Sequence, residues 1–363
     1  MKGAFRIAKV AGIPVEIHWS FVLIGFYVVY LGQSLGMDWV KTMWLGILFL
    51  SIFFCVVLHE FGHALTARRF GVETKDIIIS PIGGVARLEK LPEKAMHEFY
   101  VAIAGPLVNL LIVVLLLPYF FFYSIDEFWY QLSSIYMASP IQIIPFLLIG
   151  NIVLAGFNLL PAFPMDGGRI FRALLSIKFG RLKATKIASL LGNFFGVLMV
   201  IYAVYTQSIF TGFIGVFIFF LALQEYRMVK MDEALKNHFI AEIYRPTFTR
   251  IYATDKMGRA INEINHSLEK NFLVFDDNDE IIGALHELFI LEAIKKKDHE
   301  GPVLEYMSNK FEVISPEMSL QTLISKIREK GYSILPVFES EELKGVVDVN
   351  MLNNFLKLQQ KIA

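Results

Sequence analysis

The sequence predicts an α-helical polytopic membrane domain of about six transmembrane helices with a short β-hairpin, followed by a soluble α+β domain. Three observations lead to this fold class. Apolar residues make up 55% of the 363 residues, and 33 of them are phenylalanine, well above ordinary globular usage. Apolar stretches long enough to span a bilayer recur up to Arg227. Beyond Arg227 the chain becomes more polar and contains an internal repeat.

Six apolar stretches approach the length of about 20 residues that a transmembrane helix needs. Lysine and arginine are concentrated before the first stretch, between the second and third, and between the fourth and fifth. By the positive-inside rule, both termini and the soluble domain are expected on the cytoplasmic side of the cell (inner) membrane. The zero net charge gives no reason to expect nucleic acid as a partner. The stretches lie at about 18–36, 43–68, 97–123, 141–164, 184–206 and 209–227.

The second stretch contains the sequence His59-Glu60-Phe61-Gly62-His63. Histidines four residues apart lie on one face of a helix, so both imidazoles can bind a single Zn²⁺ ion. Polar residues packed in a core could have the same spacing, but ionisable side chains inside a membrane are costly and usually functional. We therefore expect His59 and His63 to be metal ligands and Glu60 to be the catalytic base.

A hydrolytic zinc site needs a third protein ligand and an open position for water. Asp166 is the best candidate, because the fourth stretch runs inward and brings Asp166 to the membrane depth of the histidines. Pro161 and Pro164 break the helix there, and Gly167–Gly168 allow the backbone to turn the carboxylate inward. The alternative role for Asp166 is an N-cap of the helix that follows.

Two short extended runs around Pro81 and Gly83–Gly84 predict a β-hairpin between the second and third stretches. Irregular backbone at membrane depth survives only against protein or a water-filled cavity. A hairpin beside the metal would satisfy this condition, and its free edge could pair with an extended substrate, which makes Gly83 and Gly84 candidate substrate-binding residues. An ordinary cytoplasmic hairpin explains the same residues equally well.

The soluble part consists of a predicted linker and two repeats. The linker covers 228–246, and the repeats cover about 247–300 and 301–363. At an offset of 62 residues, Gly283 in the first repeat corresponds to Gly345 in the second, and apolar runs flank both glycines. Each repeat is expected to form helix, strand, acidic turn, strand and helix, and the two repeats are expected to share a core.

These motifs together resemble the site-2 protease family of intramembrane zinc metalloproteases, over the membrane domain at 1–227. The resemblance implies regulated intramembrane proteolysis, one zinc ion held by His59, His63 and Asp166, and Glu60 as general base. It also implies that Asn158 positions the substrate or stabilises the oxyanion. The motifs are His59-Glu-Phe-Gly-His63, Pro81-Ile-Gly-Gly84, Ala104-Gly-Pro-Leu-Val-Asn109 and Phe157-Asn-Leu-Leu-Pro-Ala-Phe-Pro-Met-Asp-Gly-Gly168.

The soluble repeats resemble a tandem CBS-domain pair, which implies modulation of the protease. Adenosine-binding members of that family carry a hydroxyl residue three positions after the glycine of the second strand and an aspartate three further on. This chain has His286 and Phe289 in the first repeat, and Asp348 and Met351 in the second. Adenine-nucleotide binding is therefore not favoured. Association of two chains, or docking of a partner, explains the pair as well as nucleotide regulation does.

Two classes of function fit these features. The first is a zinc endopeptidase that cleaves membrane-protein substrates in or near their transmembrane segments. The alternative is a CBS-bearing transporter or channel in which His59, His63 and Asp166 form a metal or ion site. Glu60 favours the endopeptidase, because a transport site needs no general base beside its metal.

Overall fold

The computed structural model describes residues 3–81, 83–88, 94–134 and 138–362. The chain divides into two units, Met1–Arg227 and Met228–Ala363, and each is described by itself. Among the described residues, five helical segments are long and apolar enough to cross a membrane, whereas the sequence predicts six. The five are Trp39–Arg69, Ala95–Phe121, Pro140–Asn158, Arg181–Thr206 and Ile209–Leu235.

The first unit is mainly helical, and it contains one small sheet. The helices are α1 (Val22–Ser34), α2 (Trp39–Arg69), α3 (Ala95–Leu116), α4 (Ile125–Ser133), α5 (Ile143–Asn158), α6 (Asp166–Phe179), α7 (Arg181–Thr206) and α8 (Ile209–Leu235), of which α8 continues into the second unit. The strands are β1 (Ala4–Val10), β2 (Ile13–His18), β3 (Thr74–Ser80) and β4 (Gly83–Leu88).

The predicted hairpin, β3 and β4, belongs to a larger sheet of order β1-β2-β3-β4. The N-terminal residues, where the sequence predicts no strands, form the first two strands of this sheet. Strand β2 pairs with β3 in parallel, and the other two pairings are antiparallel. Apolar side chains of β2 and β3 pack on Phe61 and Ala64 of α2, so the sheet lies beside the histidine motif.

The first predicted span, 18–36, contains a three-residue 3-10 turn and the 13-residue helix α1, which is shorter than about 20 residues. Its neighbours limit its length, because β2 extends to His18 and Asp38 already caps the start of α2. Phe21 stacks edge-on against Phe53 of α2, and Gly32 lies against Thr42 near the start of α2. Helix α1 contacts α2 from Thr42 onward, and β2 contacts it as far as Ala64. Together they line about 33 Å of α2, at 1.5 Å per residue.

Helix α6 is anchored by a buried cluster of charges. Arg172 is completely buried and donates hydrogen bonds to Glu98 of α3 and to Glu225 of α8, the latter at 2.7 Å. Its guanidinium also lies 4.8 Å from the ring centroid of Phe163. A buried guanidinium needs charged partners of this kind, because its desolvation is otherwise not compensated. The cluster therefore fixes α6 relative to two neighbouring helices.

The second unit contains the two predicted repeats. The first has β5 (Arg250–Tyr252), α9 (Met257–His266), β6 (Phe272–Phe275), β7 (Ile281–Leu285) and α10 (Glu287–Lys296). The second has α11 (Leu320–Lys330), β8 (Ile334–Glu339), β9 (Glu342–Asp348) and α12 (Val349–Ile362). Buried side chains from β6, β7, β8 and β9 meet in a shared cluster, Leu273, Phe275, Ala284, Ile334 and Val346.

Residues 228–246, which the sequence predicts as a linker, lie inside this unit. Leu235 and Ile240 are buried in the core of the second repeat, and Arg245 pairs with Val346 of β9. The segment before the second repeat makes the reciprocal contact, because Val303 is buried in the core of the first repeat and Ser308 pairs with Ala284 of β7. Each repeat is thus completed by the segment that precedes the other repeat.

Candidate metal centre and active site

Helices α2 and α6 bring three potential metal ligands to one point. The Nε2 atoms of His59 and His63 are 3.0 Å apart, and each lies 3.1 Å from Oδ2 of Asp166. Both histidines are buried, and the aspartate is half-buried. With bonds of about 2.0–2.2 Å, atoms this close can share a single zinc ion. Two imidazoles and one carboxylate are a donor set found in catalytic zinc sites, so the residues fit the ion.

Asp166 reaches this point from the first turn of α6. The N-cap of α6 is Met165, so the alternative role for Asp166 as an N-cap is not the one it has in the structure. Gly167 and Gly168 leave room for the preceding loop, because a Cβ at either position would lie 2.2–2.6 Å from the backbone of Leu159–Phe163. The loop can therefore pass directly beneath the start of α6 and deliver the carboxylate to the histidines.

Helix α3 fixes the orientation of both imidazoles from behind. The Nδ1 atom of His63 lies 2.7 Å from the carbonyl oxygen of Val101, and Nδ1 of His59 lies 2.5 Å from Oδ1 of Asn109. Both partners are acceptors, so each Nδ1 carries the proton and each Nε2 keeps a free lone pair. Hydrogen bonds of this kind orient metal-binding histidines and raise their basicity.

Gly105 of α3 lies against the ligand atoms themselves. A Cβ at this position would lie 2.3 Å from Nε2 of His63 and 2.7 Å from Nε2 of His59. These distances are far below van der Waals contact, and neither a packed helix nor a buried ring can move far to relieve them. Any side chain at residue 105 would thus displace the imidazoles from the metal position.

We expect Gly105→Ala to weaken zinc binding at least as much as the loss of an outer-shell contact does, about 10–100-fold. Zinc affinity of the purified chain, measured by competition with a chromophoric chelator, checks this. Gly156→Ala is the matched control, because a Cβ there meets no atom of the described residues within 4 Å. Equal affinities for the two variants would contradict the placement of the metal.

The side chain of Glu60 contacts the edge strand of the sheet, β4. Its Oε2 accepts a hydrogen bond of 2.9 Å from the backbone N–H of Ala86 in β4. Gly84 of β4 also faces this side chain, since a Cβ at Gly84 would lie 2.8 Å from Cγ of Glu60. The edge strand therefore holds one carboxylate oxygen of Glu60 and leaves the other for a second partner.

The remaining predicted site residues lie near these elements but outside the cluster of ligands. Gly83 begins β4 with a positive φ of 131°, which favours glycine, and a Cβ there would meet open space among the described residues. Asn158 is the last residue of α5 and is half-buried.

Four residues that support this site have no role that the sequence predicts: Asn109, Asn151, Gly105 and Arg172. Each polar member carried a signal, because an asparagine in a transmembrane stretch and an arginine beside one are costly unless they are paired. Their partners lie 42 residues or more away along the chain, as for Asn109 with Asn151 and Arg172 with Glu98. The sequence shows that such polar residues are unusual in an apolar stretch, but it does not show which residues they contact.

The fold and the site together define a membrane-embedded zinc metalloprotease. The Peptidase family M50 model matches residues 47–203, and a CBS domain model matches residues 303–357. The chain is 33% identical to Zinc metalloprotease MJ0392 of Methanocaldococcus jannaschii over 368 residues, which cover 100% of this chain and 99% of the relative. It is 29% identical to Putative zinc metalloprotease sll0528 of Synechocystis, over 78% of this chain and 76% of that one.

Among solved structures, the Site-2 Protease from Methanocaldococcus jannaschii is 36% identical, with a TM-score of 0.47, over 61% of this chain and 95% of that one. The chain belongs to peptidase family M50, the site-2 proteases. It is a multi-pass membrane protein with CBS repeats, and the transporter or channel alternative is not favoured.

Proposed function

We propose that His59, His63 and Asp166 hold one zinc ion and that Glu60 is the general base of peptide-bond hydrolysis in membrane-protein substrates. The observation that supports this most directly is the approach of three ligand atoms from two helices to within 3.1 Å of one another, with Glu60 next to the first of them. When bound there, zinc activates a water molecule near neutral pH and polarises a carbonyl group.

The residues of the chain supply the rest of the chemistry. Glu60 accepts the proton of the attacking water on the oxygen that Ala86 leaves free, and later gives it to the leaving amine. The hydrogen bond from Ala86 keeps the carboxylate aimed while the proton moves. Burial of the histidines limits the access of bulk water to the site. Asn158, at the end of α5, is proposed to position the substrate or stabilise the oxyanion.

Strand β4 is proposed to bind the substrate. An intact transmembrane helix hides its carbonyl groups in hydrogen bonds, so the scissile segment must become extended before attack. The edge of β4 at Gly83–Gly84 lies beside Glu60 and could pair with such a segment. A cysteine placed at Ala86 should form a disulfide with a cysteine near the cleaved bond of the substrate. Efficient cross-linking from Thr74 of β3 instead would contradict this role.

The activity is tested by incubating the purified full-length chain in bilayers with single-span membrane proteins, with and without a zinc chelator. Product masses should place the cleavage within or next to the transmembrane segment. The chelator should abolish cleavage, and added zinc should restore it. Cleavage that resists the chelator, or that Asp166→Ala leaves unchanged, would refute the proposal.

Both termini and the CBS repeats are proposed to be cytoplasmic. The clustering of lysine and arginine in alternate connections supports this orientation. A cysteine introduced at the exposed Lys357 should react with a membrane-impermeant reagent in lysed cells and not in intact cells. The native Cys55 is buried and adds little background. Labelling in intact cells would reverse the orientation.

The CBS repeats are proposed to modulate the protease or to associate two chains rather than to bind adenine nucleotides. Asp348 is buried, and its Oδ1 accepts a hydrogen bond of 2.8 Å from the N–H of Met351, so it caps α12. At the equivalent position His286 contacts Ser333, and burial lowers the pKa of its imidazole.

Association of two chains would cover Leu288 and Leu291, which α10 exposes. A monomeric mass of the purified protein would contradict association.

We expect no micromolar binding of ATP or AMP to the full-length chain. The carboxylate of Asp348 is fixed as a helix cap, so it would repel phosphate rather than turn away from it. Isothermal titration of the purified protein with each nucleotide checks this. Saturable binding that Asp348→Asn strengthens would support charge repulsion as the barrier, whereas micromolar binding to the unmodified chain would overturn the expectation.

A further inference from the structure

Two asparagines inside apolar helices have their side chains fully engaged without contacting the proposed metal position. Asn109 of α3 and Asn151 of α5 are both completely buried. A buried amide that lacks hydrogen-bond partners is strongly destabilising in an apolar medium, because the loss of its contacts with water is not compensated. An asparagine inside a membrane helix is therefore expected to have a specific partner for its amide.

The two side chains form a hydrogen-bonded chain that ends at the first candidate ligand. Asn151 Nδ2 lies 2.8 Å from the carbonyl oxygen of Leu147, one turn earlier in α5. Asn109 Nδ2 lies 2.8 Å from Oδ1 of Asn151, and Nδ1 of His59 lies 2.5 Å from Oδ1 of Asn109. This series of hydrogen bonds runs from α5 through α3 to α2.

The donor and acceptor of every hydrogen bond in this series are fixed by Leu147, at the end away from His59. A backbone carbonyl only accepts, so the amide of Asn151 must present its NH₂ group to Leu147 and its oxygen to Asn109. Asn109 must then present NH₂ to Asn151 and its own oxygen to His59. The imidazole is left with one arrangement, in which Nδ1 carries the proton. The Sγ atom of Cys55, 3.4 Å from Asn151 Nδ2, accepts from the same NH₂ group, which agrees with this direction.

We propose that Asn109 and Asn151 are positioning residues that act as a relay, setting the tautomer of His59 so that its Nε2 lone pair faces the metal. His63 needs no such relay, because its Nδ1 contacts the carbonyl oxygen of Val101 directly. Asn151 thus influences metal binding from two hydrogen bonds away. The inference rests on the proposed function, in which His59 is a zinc ligand.

The test measures zinc affinity of the full-length chain by competition with a chromophoric chelator at constant pH. Asn109→Leu removes the acceptor for Nδ1 and should weaken binding about 10–100-fold, as loss of an outer-shell partner does. Asn151→Leu leaves Asn109 in place but frees its amide to flip, so a smaller loss is expected, on the order of tenfold. The double variant should match Asn109→Leu within about threefold, because one relay cannot be broken twice.

Asn193→Leu is the matched control, because it makes the same substitution in α7. The Oδ1 atom of Asn193 is buried without a partner among the described residues. The zinc affinity of this variant should equal that of the unmodified chain. Thermal unfolding of the zinc-free proteins separates packing losses from metal binding. Unchanged affinity in Asn151→Leu, or additive losses in the double variant, would overturn the relay. If Asn109→Leu does not accumulate, Asn151→Leu alone decides. Unchanged zinc affinity in His59→Ala would instead identify the proposed zinc ligand as the error.

Discussion

Replacing Glu60 by glutamine should lower the rate of peptide cleavage about 10²–10⁴-fold, the contribution of a general base. The substitution keeps the size of the side chain, and its amide oxygen can still accept the hydrogen bond from Ala86. The change therefore removes proton acceptance and little else. Zinc content should stay the same, because His59, His63 and Asp166 remain. Single-turnover cleavage of a membrane substrate measures the rate, and metal analysis of the same sample measures the zinc.

Glu73→Gln is a control with the same chemical change on the exposed chain just after α2. It should cleave at the rate of the unmodified chain. A variant of Glu60 that keeps the full rate would remove the general base from the mechanism. Loss of zinc together with activity would show that Glu60 acts on the metal site rather than on the proton.

The second large effect is expected from Arg172→Met. This change leaves the buried Glu98 and the partly buried Glu225 without the hydrogen bonds from Arg172, and breaking a buried ion pair in this way costs about 3–5 kcal/mol. For a unit of this size the midpoint of thermal unfolding should fall by roughly 10 °C. Because α6 begins at Asp166, the loss of its anchor should also weaken zinc binding. Thermal unfolding of the purified protein in detergent checks the first effect.

Lys178→Met serves as the control, since Lys178 lies on the same helix but is exposed. It should change the unfolding temperature little. The triple variant Arg172→Met/Glu98→Gln/Glu225→Gln removes the stranded charges and should regain most of the lost stability. A single variant that unfolds at the normal temperature would show that the ion cluster contributes little.

The candidate ligands could be predicted from local patterns and from the order of the spans. A spacing of four residues on a helix places His59 and His63 side by side, whatever the rest of the fold. Asp166 required a further step, the inward direction of the fourth span. Both arguments use only helix geometry and membrane depth, which are the most regular features of such a chain. The structure brings the three side chains to one point.

What surrounds the ligands could not be predicted in the same way. Strands β1 and β2 carry only a weak alternation; β1 pairs with β2, and β2 pairs with β3, about 60 residues later. Residue Asn151 is a single polar position in an apolar stretch, and only the folded structure pairs it with Asn109. The short length of α1 is likewise set by its neighbours, β2 and α2. Long-range partners decide each of these features, and periodicity contains no information about them.

The exchange of segments between the CBS repeats has a practical consequence for dissecting the protein. A fragment excised at residue 247 would lack Leu235 and Ile240, which are buried in the second repeat. It would expose the apolar surface that they cover and lose the pairing of Arg245 with Val346. A fragment of the soluble half should therefore begin at Met228 or earlier. Met228 lies inside α8, which continues from the first unit into the second.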